Sequence, residues 1–212
     1  MTKAKICGLS TAETVAAAVE GRADYIGFNF YSKSPRYVTP EQAAALAEPA
    51  RSKCKIVAVV VDPDHQWVHD MVTILRPDFV QMHGAEPAYR VSEVARYSGR
   101  PIIKAVPVSI EDDIKTADTF DGMVDHLMFD TKPPKGADMP GGTGLTFDWD
   151  LLKNRRFQRP YFLAGGLDPW NVGEAIARSG APVVDVSSGV ERGPGLKDSA
   201  LIAAFLDAVR RS

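Results

Sequence analysis

Ile56-Val57-Ala58-Val59-Val60-Val61 is the stretch whose reading decides the fold. Its six successive residues are all apolar and mostly β-branched, with no polar residue interleaved. A strand with one wet face alternates apolar and polar positions. A strand that does not alternate is covered on both faces, and that is the situation of strands in a parallel sheet. With Lys55 before it and Asp62-Pro63-Asp64 closing it, the segment reads as a strand over Lys55–Val61.

Runs of the same character lie on both sides of it: Lys3–Cys7, Asp24–Phe28, Asp78–Met82, Pro101–Val106, Val124–Phe129, Pro160–Ala164 and Pro182–Val186. The eight runs begin 21, 31, 23, 23, 23, 36 and 22 residues apart, which is the length of one βα unit. Helical patterns fill the intervals over 11–19, 40–47, 64–75, 87–97, 109–117 and 169–179, and a last one covers 199–210. Ser109 with Asp112, and Asp168 followed by Pro169, read as helix starts. Eight such units close into a barrel. The expected fold is therefore α/β, a single (β/α)8 TIM barrel forming one domain over residues 1–212. The rival, an open doubly wound sheet, would carry Gly-x-Gly-x-x-Gly after its first strand. Here the chain has Cys7-Gly8-Leu9-Ser10-Thr11.

The chain's 212 residues, 45% of them apolar, suffice for one large core. A net charge of -2 provides no basic field for nucleic acid. No 18-residue apolar span and no signal-peptide layout is visible, so neither membrane nor export is expected and the location expected is cytoplasmic. Cys7 and Cys54 fall near opposite ends of different strands, too far apart for a disulfide, and read as free thiols. Composition leaves the assembly open between monomer and homodimer.

The two long intervals are lengthened just after strand 2 (29–39) and just after strand 6 (131–146), on the side where barrels carry their active sites. The second of these loops is rich in Gly and Pro, as suits a lid. Polar residues at the same strand ends are Cys7, Asn29, Asp62, His83 and Asp130, with Gly165-Gly166 and Ser187-Ser188-Gly189 after the last two strands. Cys7 also fits a small buried apolar role, and Asp130 the role of a loop cap. Small residues after strands 7 and 8 let backbone N–H groups converge on a phosphate. Arg36 in the first long loop suits a bidentate grip on a carboxylate, or simple solvation. Lys132, beside Asp130, is expected to point elsewhere or to substrate phosphate. Lys104 reads either as a Schiff-base lysine or as a barrel-interior charge. His65 and His69 are four apart but lack a third partner for a metal.

Several segments together resemble the phosphoribosylanthranilate isomerase family of tryptophan biosynthesis: Lys5-Ile6-Cys7-Gly8-Leu9, Ser34-Pro35-Arg36-Tyr37-Val38, Val80-Gln81-Met82-His83-Gly84, Asp130-Thr131-Lys132, Leu163-Ala164-Gly165-Gly166-Leu167 and Asp185-Val186-Ser187-Ser188-Gly189-Val190-Glu191. The order is that of the barrel, and the resemblance spans nearly the whole chain. It implies an aldose–ketose isomerase that needs no cofactor and no metal and acts on a small phosphosugar. It further implies Cys7 as general base, Asp130 as general acid and Arg36 as holder of the anthranilate carboxylate. Gly165, Gly166, Ser187, Ser188 and Gly189 would hold the phosphate, with Asp185 a further contributor. The histidine-pathway sugar isomerase performs the same rearrangement, but with an aspartate where this chain has Cys7. A non-catalytic phosphate-binding barrel would need neither Cys7 nor Asp130. Pro133–Pro140 makes the expected lid longer than the form typical of the family.

Overall fold

The structure, a computed structural model, describes residues 1–133, 144–153 and 155–212. Eight parallel strands close into a barrel in sequence order: β1 (Lys3–Cys7), β2 (Tyr25–Asn29), β3 (Lys55–Val60), β4 (Phe79–Met82), β5 (Ile102–Val108), β6 (His126–Thr131), β7 (Tyr161–Leu163) and β8 (Val183–Val186). Helices α1 (Ala12–Glu20), α2 (Pro40–Ala47), α3 (His65–Leu75), α4 (Ala88–Ser98), α5 (Glu111–Lys115), α6 (Val172–Ser179) and α7 (Ser199–Arg211) surround it. Between β6 and β7 the described residues hold a short 3-10 turn, Trp149–Leu152. Most of the expected lid, residues 134–143, lies outside the described residues. Among those described, no helix is long and apolar enough to cross a membrane.

Helix starts follow local chemistry. Thr39 accepts from the Gln42 amide while Gln42 reaches back to the Thr39 amide, and Pro40 opens α2. The expected start at Ser109 is displaced: Asp113 Oδ2 instead accepts from the amides of Ser109 and Ile110, so α5 begins at Glu111 and is short. Asp168 caps the turn before α6, through the Trp170 and Asn171 amides, and the helix itself begins at Val172.

Strand alternation sorts the side chains into two cores. One face of each strand packs on the helices, with Ile6, Ile26, Phe28, Ile56, Val80 and Phe129 fully buried there. The other fills the barrel in layers drawn from alternate strands. Tyr25, Phe79, His126 and Val183 make the floor, with Tyr25 and Phe79 rings 5.9 Å apart and Phe79 and His126 5.4 Å apart. Lys5, Val57, Ile103 and Phe162 lie above it, then Gly27, Gln81, Met128 and Asp185. Cys7, Val59, Ala105 and Ala164 form the next layer.

Two boundaries differ from the sequence reading in a way that bears on the site. β5 runs on through Pro107 to Val108, and β6 pairs with it as far as Thr131. Asp130 is consequently a strand residue with a fixed inward direction, not the first residue of a loop. After β8 an antiparallel pair, β9 (Glu191–Gly193) and β10 (Leu196–Lys197), was not foreseen, being too short for any period to show.

Candidate active site

Above the layers the barrel opens into a cleft of about 700 Å³, part of it open to solvent. Cys7, Gln81, His83, Asp130 and Asp185 face it from strands β1, β4, β6 and β8 or their ends, and Arg36 enters from the loop after β2. Gly165-Gly166 after β7 and Ser187-Ser188 after β8 complete its lining. The cleft thus gathers the residues expected in the site except Gly189 and Asp62, the latter lying beside Gly84 and Glu86. Gly189 lies behind the lining, where a Cβ would come 1.9 Å from the Leu167 carbonyl oxygen, so it lets the two loops touch.

Cys7 is buried, and burial pushes its thiol up; the ammonium of Lys5 works in the opposite direction. Cys54 is also a free, buried thiol, pushed up to about 11 by burial, but it sits at the far end of the barrel before β3.

Asp130 is held at both oxygens. Oδ1 accepts from the Thr131 amide at 2.8 Å, and Oδ2 lies 3.0 Å from His83 Nε2. His83 Nδ1 is in turn 2.8 Å from Gln81 Nε2, so a chain of three side chains ends on the carboxyl group. Lys132 points away and pairs with Asp113 at 2.6 Å.

Arg36 is less free than its loop position suggests. Its Nε and Nη2 donate to Glu191 at 2.7 and 2.8 Å, and Lys197 Nζ donates to the same carboxylate at 2.6 Å. Burial alone would raise the Glu191 carboxyl, but Arg36 and Lys197 outweigh it and hold it below the ordinary carboxylate range. After β7, Gly165 takes φ +89°, and a Cβ there would lie 2.2 Å from Thr131 Oγ1. The Gly165 and Gly166 amides make no hydrogen bond among the described residues. The Ser187 hydroxyl is already engaged, donating to the Cys7 carbonyl at 3.2 Å.

Lys104 has neither of its expected roles. It faces outward from β5, where Nζ donates to Gly84 O, Glu86 Oε2 and Ala105 O at 2.8 to 2.9 Å. Its donors are saturated, which leaves no free amine for a Schiff base. The two spaced histidines are also engaged apart: His65 packs on Tyr97 with the rings tilted by 38° and centroids 3.6 Å apart, and His69 lies 3.3 Å from Asp70.

Residues 4–208 match the family described as N-(5'phosphoribosyl)anthranilate (PRA) isomerase. The chain belongs to this family. It is 60% identical over 210 residues to the N-(5'-phosphoribosyl)anthranilate isomerase of Caulobacter vibrioides, covering 99% of this chain and 96% of that protein. With the Rhizobium johnstonii enzyme it shares 47% identity over 98% of this chain and 94% of that one. Its backbone follows the phosphoribosyl anthranilate isomerase of Thermotoga maritima with a TM-score of 0.88 at 36% identity, each chain covered completely. A second solved phosphoribosyl anthranilate isomerase, in complex with reduced 1-(o-carboxyphenylamino)-1-deoxyribulose 5-phosphate, matches with a TM-score of 0.86 at 33% identity, again over both whole chains.

The sequence carries a signal for four further residues beside the site. Lys5 and Gln81 stand two positions before Cys7 and His83, hence on the same inward face. Glu191 and Lys197 flank the β9–β10 turn within the segment that follows β8.

Proposed function

We propose that this chain converts N-(5'-phosphoribosyl)anthranilate to 1-(2-carboxyphenylamino)-1-deoxyribulose 5-phosphate by an Amadori rearrangement, with Cys7 as general base and Asp130 as general acid. The observation that carries the assignment is the cleft itself. It holds one thiol and two carboxyl groups on inward strand positions, of which Asp185 is taken up by Lys5 and Asp130 is left to act, with a guanidinium from the loop after β2 and, among the described residues, glycine amides after β7 that make no hydrogen bond. A substrate with a carboxylate at one end and a phosphate at the other is thereby fixed between base and acid.

The steps need no external electron sink. Asp130 gives its proton to the ribose ring oxygen, the C1–O bond breaks, and the anthranilate nitrogen becomes an iminium. That cation acidifies the neighbouring C2–H bond. Cys7 takes the proton, the bonding pair moves to form the enolamine, and tautomerisation yields the ketose. Gln81 and His83, in contact through Gln81 Nε2 and His83 Nδ1, hold the carboxyl group in place at its Oδ2. Arg36, oriented by Glu191, holds the anthranilate carboxylate, and Gly165, Gly166 and the Ser188 region hold the phosphate.

Loss of anthranilate fluorescence on addition of phosphoribosylanthranilate tests the assignment. Cys7→Ser and Asp130→Asn are each expected to lower kcat by about a hundredfold or more. Near wild-type turnover in both would sink it. An inactive wild-type protein that still binds inorganic phosphate would favour a binding barrel.

A further inference from the structure

Alternation along β1 turns Lys5 and Cys7 to the same side, into the barrel. Lys5 is fully buried there, in a layer whose other members, Val57, Ile103 and Phe162, are apolar. Its Nζ donates to Asp185 Oδ1 at 2.8 Å, the residue in register with it on β8. On the other side, β2 places Gly27 in register with Cys7. A Cβ on Gly27 would lie 3.2 Å from Cys7 Sγ, from Lys5 Cε and from Lys5 Nζ alike. Thiol and ammonium therefore converge on the space that the missing side chain leaves open. An apolar residue would fill the layer without two charges to desolvate, so core stability does not account for the lysine.

We propose that Lys5 is the charge partner of the base: its ammonium, locked in place by Asp185, faces Cys7 Sγ and favours the thiolate over the thiol. The inference rests on Cys7 being the base. The charged groups around the thiol are Lys5 on β1, Asp185 on β8 and Lys197 on β10, while β2 offers only Gly27. Lys197 turns its Nζ to Glu191 and Ser187, which leaves Lys5 as the cation at Sγ. Burial disfavours the Lys5 charge, but Asp185 and Cys7 more than offset it and keep the amine protonated. The thiolate so favoured takes the C2 proton of the iminium: the S–H bond forms, the C2–H bond breaks, and its electron pair moves into the enolamine.

In a Cys54→Ala background Cys7 is the sole thiol, and its ionisation can be followed by the ultraviolet absorbance of the thiolate. Lys5→Met is expected to raise the Cys7 midpoint by about one pH unit or more and to lower kcat at neutral pH by roughly tenfold, with KM nearly unchanged. Because this variant strands Asp185 in the barrel, Lys5→Met/Asp185→Asn is measured beside it and moves the midpoint in the same direction. An unmoved midpoint in either folded variant overturns the proposal. A midpoint that moves while Cys7→Ser retains turnover leaves the Lys5 coupling standing and overturns the base instead.

Discussion

Glu191 accepts three charge-assisted hydrogen bonds, from Arg36 Nε, Arg36 Nη2 and Lys197 Nζ, and a fourth bond from the Gly195 amide at 3.1 Å. Its removal leaves two buried cations without their partner, a loss of about 3 kcal/mol at neutral pH for Glu191→Gln. The two cations hold the folded carboxyl below its ordinary value against burial. Its stabilisation is therefore complete above the unfolded value, roughly 4.3, and fades as pH falls through the lower folded one. Urea unfolding at pH 7 and in acid reads this directly: the gap between wild type and Glu191→Gln narrows in acid, and a constant gap would refute the assignment. Arg36, freed to turn, also loses its aim, and KM is expected to rise with little change in kcat. The placement of Cys7, Asp130 and Arg36 on the cleft was legible because they end strands or lie in a long loop on that side of the barrel. Which of the first two is acid and which is base came from the family resemblance, since spacing alone treats a thiol and a carboxyl group alike. Glu191 and Lys197 were not singled out because their importance lies in pairing with a residue of a distant loop.

The short helix α5 shows how an element can serve the site from outside it. Asp113 caps the helix through the Ser109 and Ile110 amides and, with the same carboxylate, pairs with Lys132 next to Asp130. Asp113→Ala removes cap and anchor together and is expected to cost about 1 kcal/mol, read as a lower urea midpoint at unchanged slope. A midpoint equal to wild type would mean that the amides of Ser109 and Ile110 find water without loss. The strands themselves were readable because non-alternating apolar runs have few other fates. Their ends were harder, since β6 reaches Thr131 by pairing with β5 through Pro107 and Val108, and a proline seldom signals a continuing strand. The capping of α5 was misread for a related reason: Asp112 and Asp113 are adjacent, and only the backbone direction decides which one returns to the amides.

At the scale of the molecule, the barrel stacks a mostly aromatic floor under a polar roof, and Lys5 with Asp185 brings charge down into the layers between. Stability and chemistry should then separate along the barrel axis, because none of the four floor residues lines the cleft. Tyr25 is the residue that tests this. Its ring meets Phe79 at 5.9 Å and Phe162 at 5.2 Å, both edge to face, and its hydroxyl makes no hydrogen bond among the described residues. Tyr25→Ala opens a cavity in the floor and is expected to cost on the order of 3 kcal/mol. At a temperature where the variant remains folded, its KM should stay within about twofold of wild type, because Arg36 and the loops after β7 and β8 lie at the other end of the strands. The same measurement on Cys7→Ser should give the reverse, with turnover lost and the urea midpoint nearly kept. If Tyr25→Ala instead raised KM while leaving stability intact, floor and roof would be coupled through the Lys5 layer, and the axial division of labour would have to be abandoned.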